Sequence, residues 1–347
     1  MDKIRVGVVG AGLIAQRAHI PSINRNADVS LVALADSRAE LAASVAKLWH
    51  IPVWYGDYHE LVRSDDVDVV FVLTNDPSHY EIAKLALENG KHVFVEKPLA
   101  TNSKDANELV TEAEKRGLVL SVGYMRRYDD GVRLAKRLIS QLGAPVTADS
   151  IYLNGNWLAG DSQFPYVTSN EKVPSIEYRY PNLGFSEEQK TLYAWILALS
   201  HQIDTIRYLF GDPKRIAYSS ISKNDKRGDL KVNSFASVLD YGSFLLTMEL
   251  TSAWKGDFME YYFACFGGNA VLRVDPPIFL LRNATARVEL RTPDKTEVYD
   301  RVGFRWSFEV EVEEFFNAVR QHEDTVSSGR EGMLDLELAE KLVAALS

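Results

Sequence analysis

The chain contains very little cysteine. Of its 347 residues, Cys265 is the single one. One thiol forms no internal disulfide and holds no cysteine-based metal cluster. We therefore expect neither a disulfide framework nor a resident metal ion.

An excess of positive charge is also missing. Lys and Arg total 39 against 48 Asp and Glu, which gives a net charge of -9. Nucleic-acid binding needs clustered Lys and Arg, and the chain has no basic stripe, so we expect no nucleic-acid partner. No apolar run is long enough to cross a bilayer. The first predicted strand starts within a few residues of Met1 and leaves no room for a signal peptide, so we expect a cytoplasmic protein without a membrane partner.

The first thirty-six residues carry a nucleotide-binding pattern. A strand over Ile4–Val9 is followed by Gly10-Ala11-Gly12-Leu13-Ile14-Ala15, a helix, and a second strand that stops at Asp36. The first glycine permits a tight turn, and the second lets the main chain approach a pyrophosphate at the helix N-terminus. Alanine is an accepted replacement for the third glycine. This order of elements predicts a dinucleotide site, and we favour it over a purely structural glycine turn.

The acid at the end of the second strand indicates which dinucleotide binds. Asp36 lies roughly 20 residues beyond the glycines, where a carboxylate accepts hydrogen bonds from the ribose hydroxyls. Its charge disfavours a 2′-phosphate, whereas Arg38 nearby would hold one. We therefore predict NAD as the preferred cofactor and leave NADP as the second choice.

Alternating helices and apolar strands continue to about residue 122. This alternation predicts a doubly wound parallel sheet, the Rossmann fold, as an α/β domain over residues 1–122. The predicted helices cover Ala39–Trp49, Pro77–Asn89 and Ser103–Arg116; the further predicted strands cover Val67–Leu73, His92–Val95 and Leu118–Val122.

Beyond Gly123 the pattern changes to alternating strands with turns. It predicts an α+β domain over residues 123–347, built on an open, mostly antiparallel sheet. The predicted strands cover Thr147–Leu153, Val232–Leu239, Phe244–Leu250 and Met259–Phe266; the predicted helices cover Leu192–Phe210, Ser307–His322 and Leu334–Leu346. An open sheet that lacks helices on one face favours burial against another subunit, so we expect a homodimer or homotetramer. The aromatic-rich segment 154–190 is interpreted as a substrate lid or an oligomer arm rather than plain disorder.

A lysine follows one of the predicted strands directly. Glu96-Lys97-Pro98 comes after His92–Val95, which places Lys97 at the carboxyl edge of the sheet beside the cofactor crevice. Because Pro98 disfavours helical geometry in the residue before it, the lysine is held in an extended turn. There its ammonium group would hydrogen-bond a substrate hydroxyl. From the residues alone, a surface lysine before a helix is equally well supported.

Four motifs together resemble the Gfo/Idh/MocA oxidoreductase family. They are the glycine motif, the turn Thr74-Asn75-Asp76-Pro77-Ser78-His79, the run Gly90-Lys91-His92-Val93-Phe94-Val95-Glu96-Lys97-Pro98-Leu99-Ala100, and the segment Gly123-Tyr124-Met125-Arg126-Arg127-Tyr128. The resemblance implies NAD(P)-dependent hydride transfer at a carbinol carbon of sugars, sugar derivatives or cyclitols, with Lys97 as a catalytic residue. We predict a cofactor-binding set of Gly10, Ala11, Gly12, Leu13, Ile14, Asp36, Ser37, Arg38, Thr74, Asn75, His79, Glu96 and Lys97.

The resemblance also implies substrate-handling residues in the second domain. Ser200-His201-Gln202-Ile203-Asp204 is similar to the family's histidine helix, in which His201 would act as the general base. Arg127 and Asp204 are predicted to contact substrate. Many family members carry an acid one helical turn before the histidine, where this chain has Leu197, and Tyr193 and Tyr124 are candidate substitute groups. For Arg127 and His201 the alternatives are a solvated arginine and a core histidine.

Three functions are compatible with these features. A dehydrogenase for a small polyol or sugar is our main hypothesis. Because the usual acid is replaced by Leu197, the second hypothesis is a regulatory protein that binds NAD(P) without catalysis. A glycosidase that uses bound NAD as a transient redox group is the third.

Overall fold

The chain divides into two compact units. In the computed structural model, which describes residues 3–158, 166–173, 183–222, 233–251 and 256–346, the units are interleaved along the sequence. Unit 1 comprises Met1–Tyr124, Gln163–Pro181 and Phe308–Glu337, whereas unit 2 comprises Met125–Ser162, Asn182–Ser307 and Leu338–Ser347. The boundary predicted after residue 122 stays a prediction.

Unit 1 contains a six-stranded parallel sheet, which confirms the predicted doubly wound fold. Its strands are β1 Ile4–Val9, β2 Val29–Ala35, β3 Val53–Tyr55, β4 Val69–Val72, β5 His92–Glu96 and β6 Leu120–Gly123. The spatial order is β3-β2-β1-β4-β5-β6. The strand order therefore reverses between β1 and β4, and in such sheets this switch point is where a nucleotide binds.

Helices connect these strands and continue into the second half of the chain. They are α1 Ile20–Arg25, α2 Ala39–Trp49, α3 Tyr58–Arg63, α4 His79–Glu88, α5 Ser103–Arg116, α6 Asp130–Leu142, α7 Glu187–Ala198, α8 His201–Phe210, α9 Ser307–Gln321 and α10 Gly329–Ala344. Local chemistry sets the ends of α5. The Asn102 side chain accepts a hydrogen bond from the Asp105 amide at its start, and Gly117, at φ 66°, ends it in the left-handed region.

Aromatic residues from the C-terminal part of the chain complete the core of unit 1. Phe315 on α9 packs edge-on against Phe71 and Phe94, with ring centroids 5.4 and 5.5 Å apart. All three side chains are fully buried. A sheet buried on both faces needs such a cover, and here it comes from a segment more than two hundred residues further along the chain.

Unit 2 is built on an eight-stranded sheet. Its strands are β7 Pro145–Leu153, β8 Arg215–Ser222, β9 Ser234–Asp240, β10 Leu245–Thr251, β11 Met259–Phe266, β12 Ala270–Asp275, β13 Arg287–Arg291 and β14 Thr296–Tyr299. The order is β14-β13-β12-β11-β7-β10-β9-β8. Neighbours pair antiparallel except β7 and β10, which run parallel, so the predicted mostly antiparallel sheet is confirmed. Buried and half-exposed side chains alternate along β11.

Several predicted boundaries were wrong. The predicted helix Leu192–Phe210 is two helices, because the backbone leaves helical geometry at Leu199 before α8 begins. Apolar residues on both sides of the break gave one continuous periodic pattern. Helix α4 starts at His79 rather than Pro77, since Asp76–Ser78 forms a separate 3-10 turn. Helix α10 begins at Gly329, well before the predicted Leu334.

Some predictions fall on parts of the chain that the structure leaves undescribed. Val232, the predicted start of one strand, and residues 159–165 and 174–182 of the 154–190 segment lie outside the described residues. Across the described residues, no helix has the length and apolar character needed to cross a bilayer.

Candidate functional site

A cleft of about 1150 Å³, counting the space at its mouth, opens at the carboxyl edge of the parallel sheet in unit 1. It starts where β1, β2 and β4 end, at the switch point of the sheet. The lining residues are Val9, Gly10, Gly12, Ala35, Asp36, Ser37, Arg38, Gly56, Asp57, Tyr58, Leu73, Thr74, Asn75, Ser78, Ile82 and Val173. The cleft therefore combines apolar walls with a few polar groups, as small-molecule sites usually do.

Both glycines of the motif have a structural reason to be glycine. Gly10 has a φ of 104°, and a Cβ there would lie 2.4 Å from the carbonyl oxygen of Leu73. Gly12 faces open space, with no atom within 4 Å of the position of a Cβ. Gly10 thus permits the turn, and Gly12 leaves room for a ligand to approach the main chain. These residues fit the pyrophosphate of a dinucleotide.

Asp36 lines the cleft and links the glycine loop to Arg38. It accepts hydrogen bonds from the Ala11 amide at 2.8 Å and from Nε and Nη2 of Arg38, both at 2.9 Å. The hydrogen bond to Asp36 raises the pKa of Arg38 above its ordinary value, against the opposing effect of burial. The Arg38 guanidinium is therefore already engaged by a carboxylate of the same chain. Ser37, between them, is exposed and lines the cleft.

The turn after β4 supplies the opposite wall. Thr74 and Asn75 line the cleft, as predicted for cofactor contacts. His79 lies outside the lining and is fully buried. Its Nδ1 is 2.7 Å from the carbonyl oxygen of Pro98, and its Nε2 is 3.0 Å from that of Thr74. The geometry gives His79 the role of holding two loops together, and a direct cofactor contact stays a prediction.

Lys97 leaves β5 at the same edge of the sheet, and the residue before it is held firmly. Oε1 of Glu96 lies 2.6 Å from Nε2 of His19, and Oε2 accepts a hydrogen bond of 3.0 Å from the Lys97 amide. Burial alone would raise the pKa of Glu96, but the hydrogen bond from His19 and nearby positive charge lower it below its usual value. Glu96 therefore keeps its negative charge beside Lys97 at neutral pH.

The remaining predicted cofactor residues are Ala11, Leu13 and Ile14. Ala11 is fully buried and reaches Asp36 through its amide. Leu13 and Ile14 form the first residues of the helical segment that continues as a π-helix over Ala15–His19. These three side chains are not part of the cleft lining, so direct contact with a cofactor stays a prediction for them.

The predicted substrate residues of unit 2 include a buried ion pair. Nε of Arg127 lies 2.7 Å from Oδ1 of Asp204, and the two side chains are 4% and 0% exposed. The neighbouring Arg126 pairs in the same way with Glu260 at 2.9 Å. Both arginines are thus tied to carboxylates inside unit 2, which gives Arg127 and Asp204 a structural role in addition to the predicted contact with substrate.

His201 lies at the first position of α8, directly after Ser200. Its imidazole packs near the ring of Phe279, with centroids 5.1 Å apart, and the residue is 8% exposed. The residue is therefore buried, with its Nδ1 shielded from solvent. Its role as a general base stays a prediction.

The two tyrosines suggested as substitute polar groups are interior residues. Tyr193 and Tyr124 are fully buried, and Leu197, at the position of the usual family acid, is 1% exposed. The Tyr193 hydroxyl lies 3.4 Å from Oε1 of Glu340 and so serves packing within unit 2. Their contacts with substrate stay predictions.

Sequence reasoning missed a second group of residues around the cleft. Gln16 and His19 follow the glycine motif directly, so their position in the helix beside the pyrophosphate could have drawn attention to them. Val173 lines the cleft, and Glu171 caps α2. These two are more than 130 residues from the motif, and no local pattern connects them with it.

The fold and cleft define the class of protein, a Rossmann-fold protein with a cleft that fits a dinucleotide. Residues 4–124 match the family model described as an oxidoreductase family with an NAD-binding Rossmann fold. Residues 186–347 match the companion model, the C-terminal alpha/beta domain of the same oxidoreductase family. The chain therefore belongs to the Gfo/Idh/MocA family of NAD(P)-dependent oxidoreductases.

Individual relatives extend over nearly the whole chain. An uncharacterized oxidoreductase, YrbE of Bacillus subtilis, is 24% identical over 95% of this chain and 91% of its own length. Inositol 2-dehydrogenase of Burkholderia cenocepacia is 26% identical over 99% of this chain and 94% of its own. Among solved structures, the 3-ketoreductase KijD10 of Actinomadura kijaniata, in complex with NADP and TDP-benzene, has a TM-score of 0.78. It is 18% identical and covers 99% of this chain and 98% of its own, a likeness of fold alone.

Proposed function

We propose that this protein oxidises a carbinol carbon of a sugar, sugar derivative or cyclitol, or reduces the corresponding ketone. The observation that carries the proposal is the position of Lys97. It follows β5 at the carboxyl edge of the sheet, and the glycine-lined cleft opens at the same edge. Bound NAD(P) would accept or return the hydride.

Within this proposal, Lys97 has the task of binding the reacting oxygen. An ammonium group that hydrogen-bonds this oxygen stabilises the negative charge that develops when the hydroxyl proton departs. The hydrogen bond from the Lys97 amide to Glu96 fixes the backbone from which the side chain extends.

His201 is proposed to take the proton. In the oxidation, the C–H bond breaks with its electron pair to form hydride, the O–H bond breaks, and the proton passes to the imidazole as the carbonyl forms. The reverse sequence reduces a ketone. An imidazole titrates close to neutral pH and suits both directions.

The substrate class has support from the family and from the named relatives. Inositol 2-dehydrogenase is named for a reaction on a cyclitol. The KijD10 complex contains a nucleotide-linked compound in addition to NADP. We therefore propose cyclitols, free sugars and sugar derivatives as the substrate class.

Turnover with a substrate panel tests the proposal. Wild-type protein and Lys97→Ala are assayed for NADH formation with inositols, free sugars, sugar phosphates and nucleotide sugars. We expect at least one polyol to be oxidised and Lys97→Ala to lower kcat by a factor of about 10² to 10³, the usual cost of removing one donor to a developing negative charge on oxygen. NADH affinity should change much less than turnover.

The control is Lys104→Ala. Lys104 is an exposed lysine in the first turn of α5, so its removal changes net charge equally without approaching the cleft. NAD binding without oxidation of any polyol would contradict the dehydrogenase and favour the regulatory protein. Release of a sugar from an aryl glycoside without net NADH would identify the glycosidase.

A further inference from the structure

A short segment from the middle of the chain packs onto unit 1 beside the cofactor cleft. We call residues 166–173 the strap. Its main chain is fixed at one end by Gln16, whose amide nitrogen donates to the Val167 carbonyl at 3.0 Å and whose amide oxygen accepts from the Val167 amide at 2.8 Å. Gln16 is fully buried. The strap is therefore anchored to the helical segment that follows the glycine loop.

The middle of the strap reaches the start of α2. The two carboxylate oxygens of Glu171 accept hydrogen bonds from the amides of Glu40, at 3.3 Å, and Leu41, at 3.1 Å. Arg38, at the N-cap position of this helix, makes no side-chain cap. Glu171 supplies the missing cap, and Ser169 holds its carboxylate with a hydrogen bond of 2.9 Å.

The start of α2 borders the cleft where β2 ends. Asp36 and Arg38 precede α2 and line the cleft, and Val173 of the strap lines it as well. Burial raises the pKa of Glu171, and the charge of Asp36 raises it to a lesser extent, but the hydrogen bonds from Ser169 and the two amides lower the pKa overall. The Asp36 carboxylate thus lines the cleft, and the Glu171 carboxylate lies near it at the start of α2.

Unoccupied amides at a helix N-terminus attract phosphate, and so does an arginine. Here both groups are already bound by carboxylates. Glu171 takes the amides of α2, and Asp36 takes the Arg38 guanidinium. A 2′-phosphate would meet negative charge where an NADP site needs positive charge or open donors.

We propose that Glu171 is a determinant of cofactor specificity, which selects NAD against NADP by occupying the α2 amides and adding negative charge beside Asp36. The proposal rests on the proposed use of a nicotinamide dinucleotide, but it does not depend on which polyol is the substrate. An Arg38 side chain that left Asp36 would bind a 2′-phosphate and so favour NADP. The negative charge of Glu171 disfavours the binding of that phosphate.

The test is a pair of binding titrations, one with NADH and one with NADPH, in which nucleotide fluorescence is the signal. Glu171→Gln keeps the size of the side chain and one acceptor for the α2 amides but removes the charge. We expect NADPH to bind about two- to fivefold more tightly, as removal of one partly exposed repulsion predicts, with NADH affinity within about twofold of wild type. Glu171→Ala, which vacates the amides, should favour NADPH further.

The control is Glu88→Gln on α4, an exposed glutamate that makes the same change in net charge. It should leave both affinities unchanged. Raising the salt concentration to 1 M, where the screening length is about 3 Å, should reduce the wild-type preference for NADH. An NADPH to NADH affinity ratio in Glu171→Gln equal to that of wild type or of Glu88→Gln would overturn the proposal.

Failure of this proposal is distinguishable from failure of the proposed function. Wild-type protein that binds neither nucleotide would overturn both. Wild-type protein that binds NADH but oxidises no polyol would contradict the proposed reaction only, because the affinity ratio of the Glu171 variants still decides the role of Glu171.

Discussion

Nε2 of His19 and Oε1 of Glu96 lie 2.6 Å apart, and so join the helical segment after the glycine loop to the residue before Lys97. The His19 ring is fully buried and lies edge-on to Phe94 and Phe308, with centroids 5.2 and 5.6 Å away. A single carboxylate therefore connects the two motifs that the sequence predicts for cofactor and substrate. Its other oxygen accepts the Lys97 amide.

The ionised state of Glu96 should stabilise the protein. Because its pKa is lower in the folded chain than its ordinary value, the stabilisation is complete above about pH 4.3 and is lost as the pH falls through the folded pKa. We expect wild type to be more stable than Glu96→Gln at pH 7, and this difference to shrink toward pH 3. Urea unfolding across this range measures it. A difference that is constant with pH would contradict the role of the charge, and Glu88→Gln serves as the exposed control.

The ion pair between Arg127 and Asp204 predicts a loss of stability on mutation, which a simple substrate contact would not. Since both side chains are buried, Arg127→Ala leaves an uncompensated carboxylate and should lower the free energy of unfolding by about 3 kcal/mol. The double variant Arg127→Met with Asp204→Leu should recover most of this loss. Chemical denaturation of wild type and of these two variants tests it. An Arg127→Ala protein with unchanged stability and a raised KM would indicate a substrate contact alone.

The two glycines of the motif should respond differently to alanine. Gly10→Ala places a Cβ against the Leu73 carbonyl at a positive φ, so we expect a loss of stability of about 2 kcal/mol or more. Gly12→Ala meets no neighbouring atom and should change stability by less than about 0.5 kcal/mol. It should nevertheless weaken NADH binding, because the methyl group occupies the approach of the pyrophosphate. Thermal unfolding and NADH titration separate the two effects, and equal stability losses would contradict them.

Assembly of the protein is predicted to use the half-exposed face of the second sheet. Asp149, Ile151, Thr247, Glu249, Tyr261 and Phe263 line a shallow depression there. We propose that this face packs against the same face of a second copy of the chain and so forms a homodimer or homotetramer. Phe263→Arg should then lower the mass measured by light scattering to that of a smaller species. Phe304→Arg, which changes a loop residue that is 72% exposed, is the matched control. A monomeric wild type would contradict the proposal.

Much of the cofactor half could be predicted from the sequence because its signals are local. The glycine turn, the acid that ends β2 and the lysine that follows β5 depend on backbone conformation and strand order within short stretches. Gly10 requires a positive φ, and the apolar runs β1, β2 and β4 need cover on both faces. Hydrophobic periodicity and turn residues in the sequence indicate such requirements.

Tertiary structure alone decided which distant residues meet. The Glu171 carboxylate reaches amides 130 and 131 positions away, and Phe315 covers a sheet formed mostly by the first third of the chain. Arg127 is a charged residue near a helix start in sequence, whereas packing makes it half of a buried pair with Asp204. The physical reason is that burial and long-range pairing arise when the core assembles, and no local pattern encodes the partner. The sequence determined the kind of cofactor site, and packing determined which charges surround it.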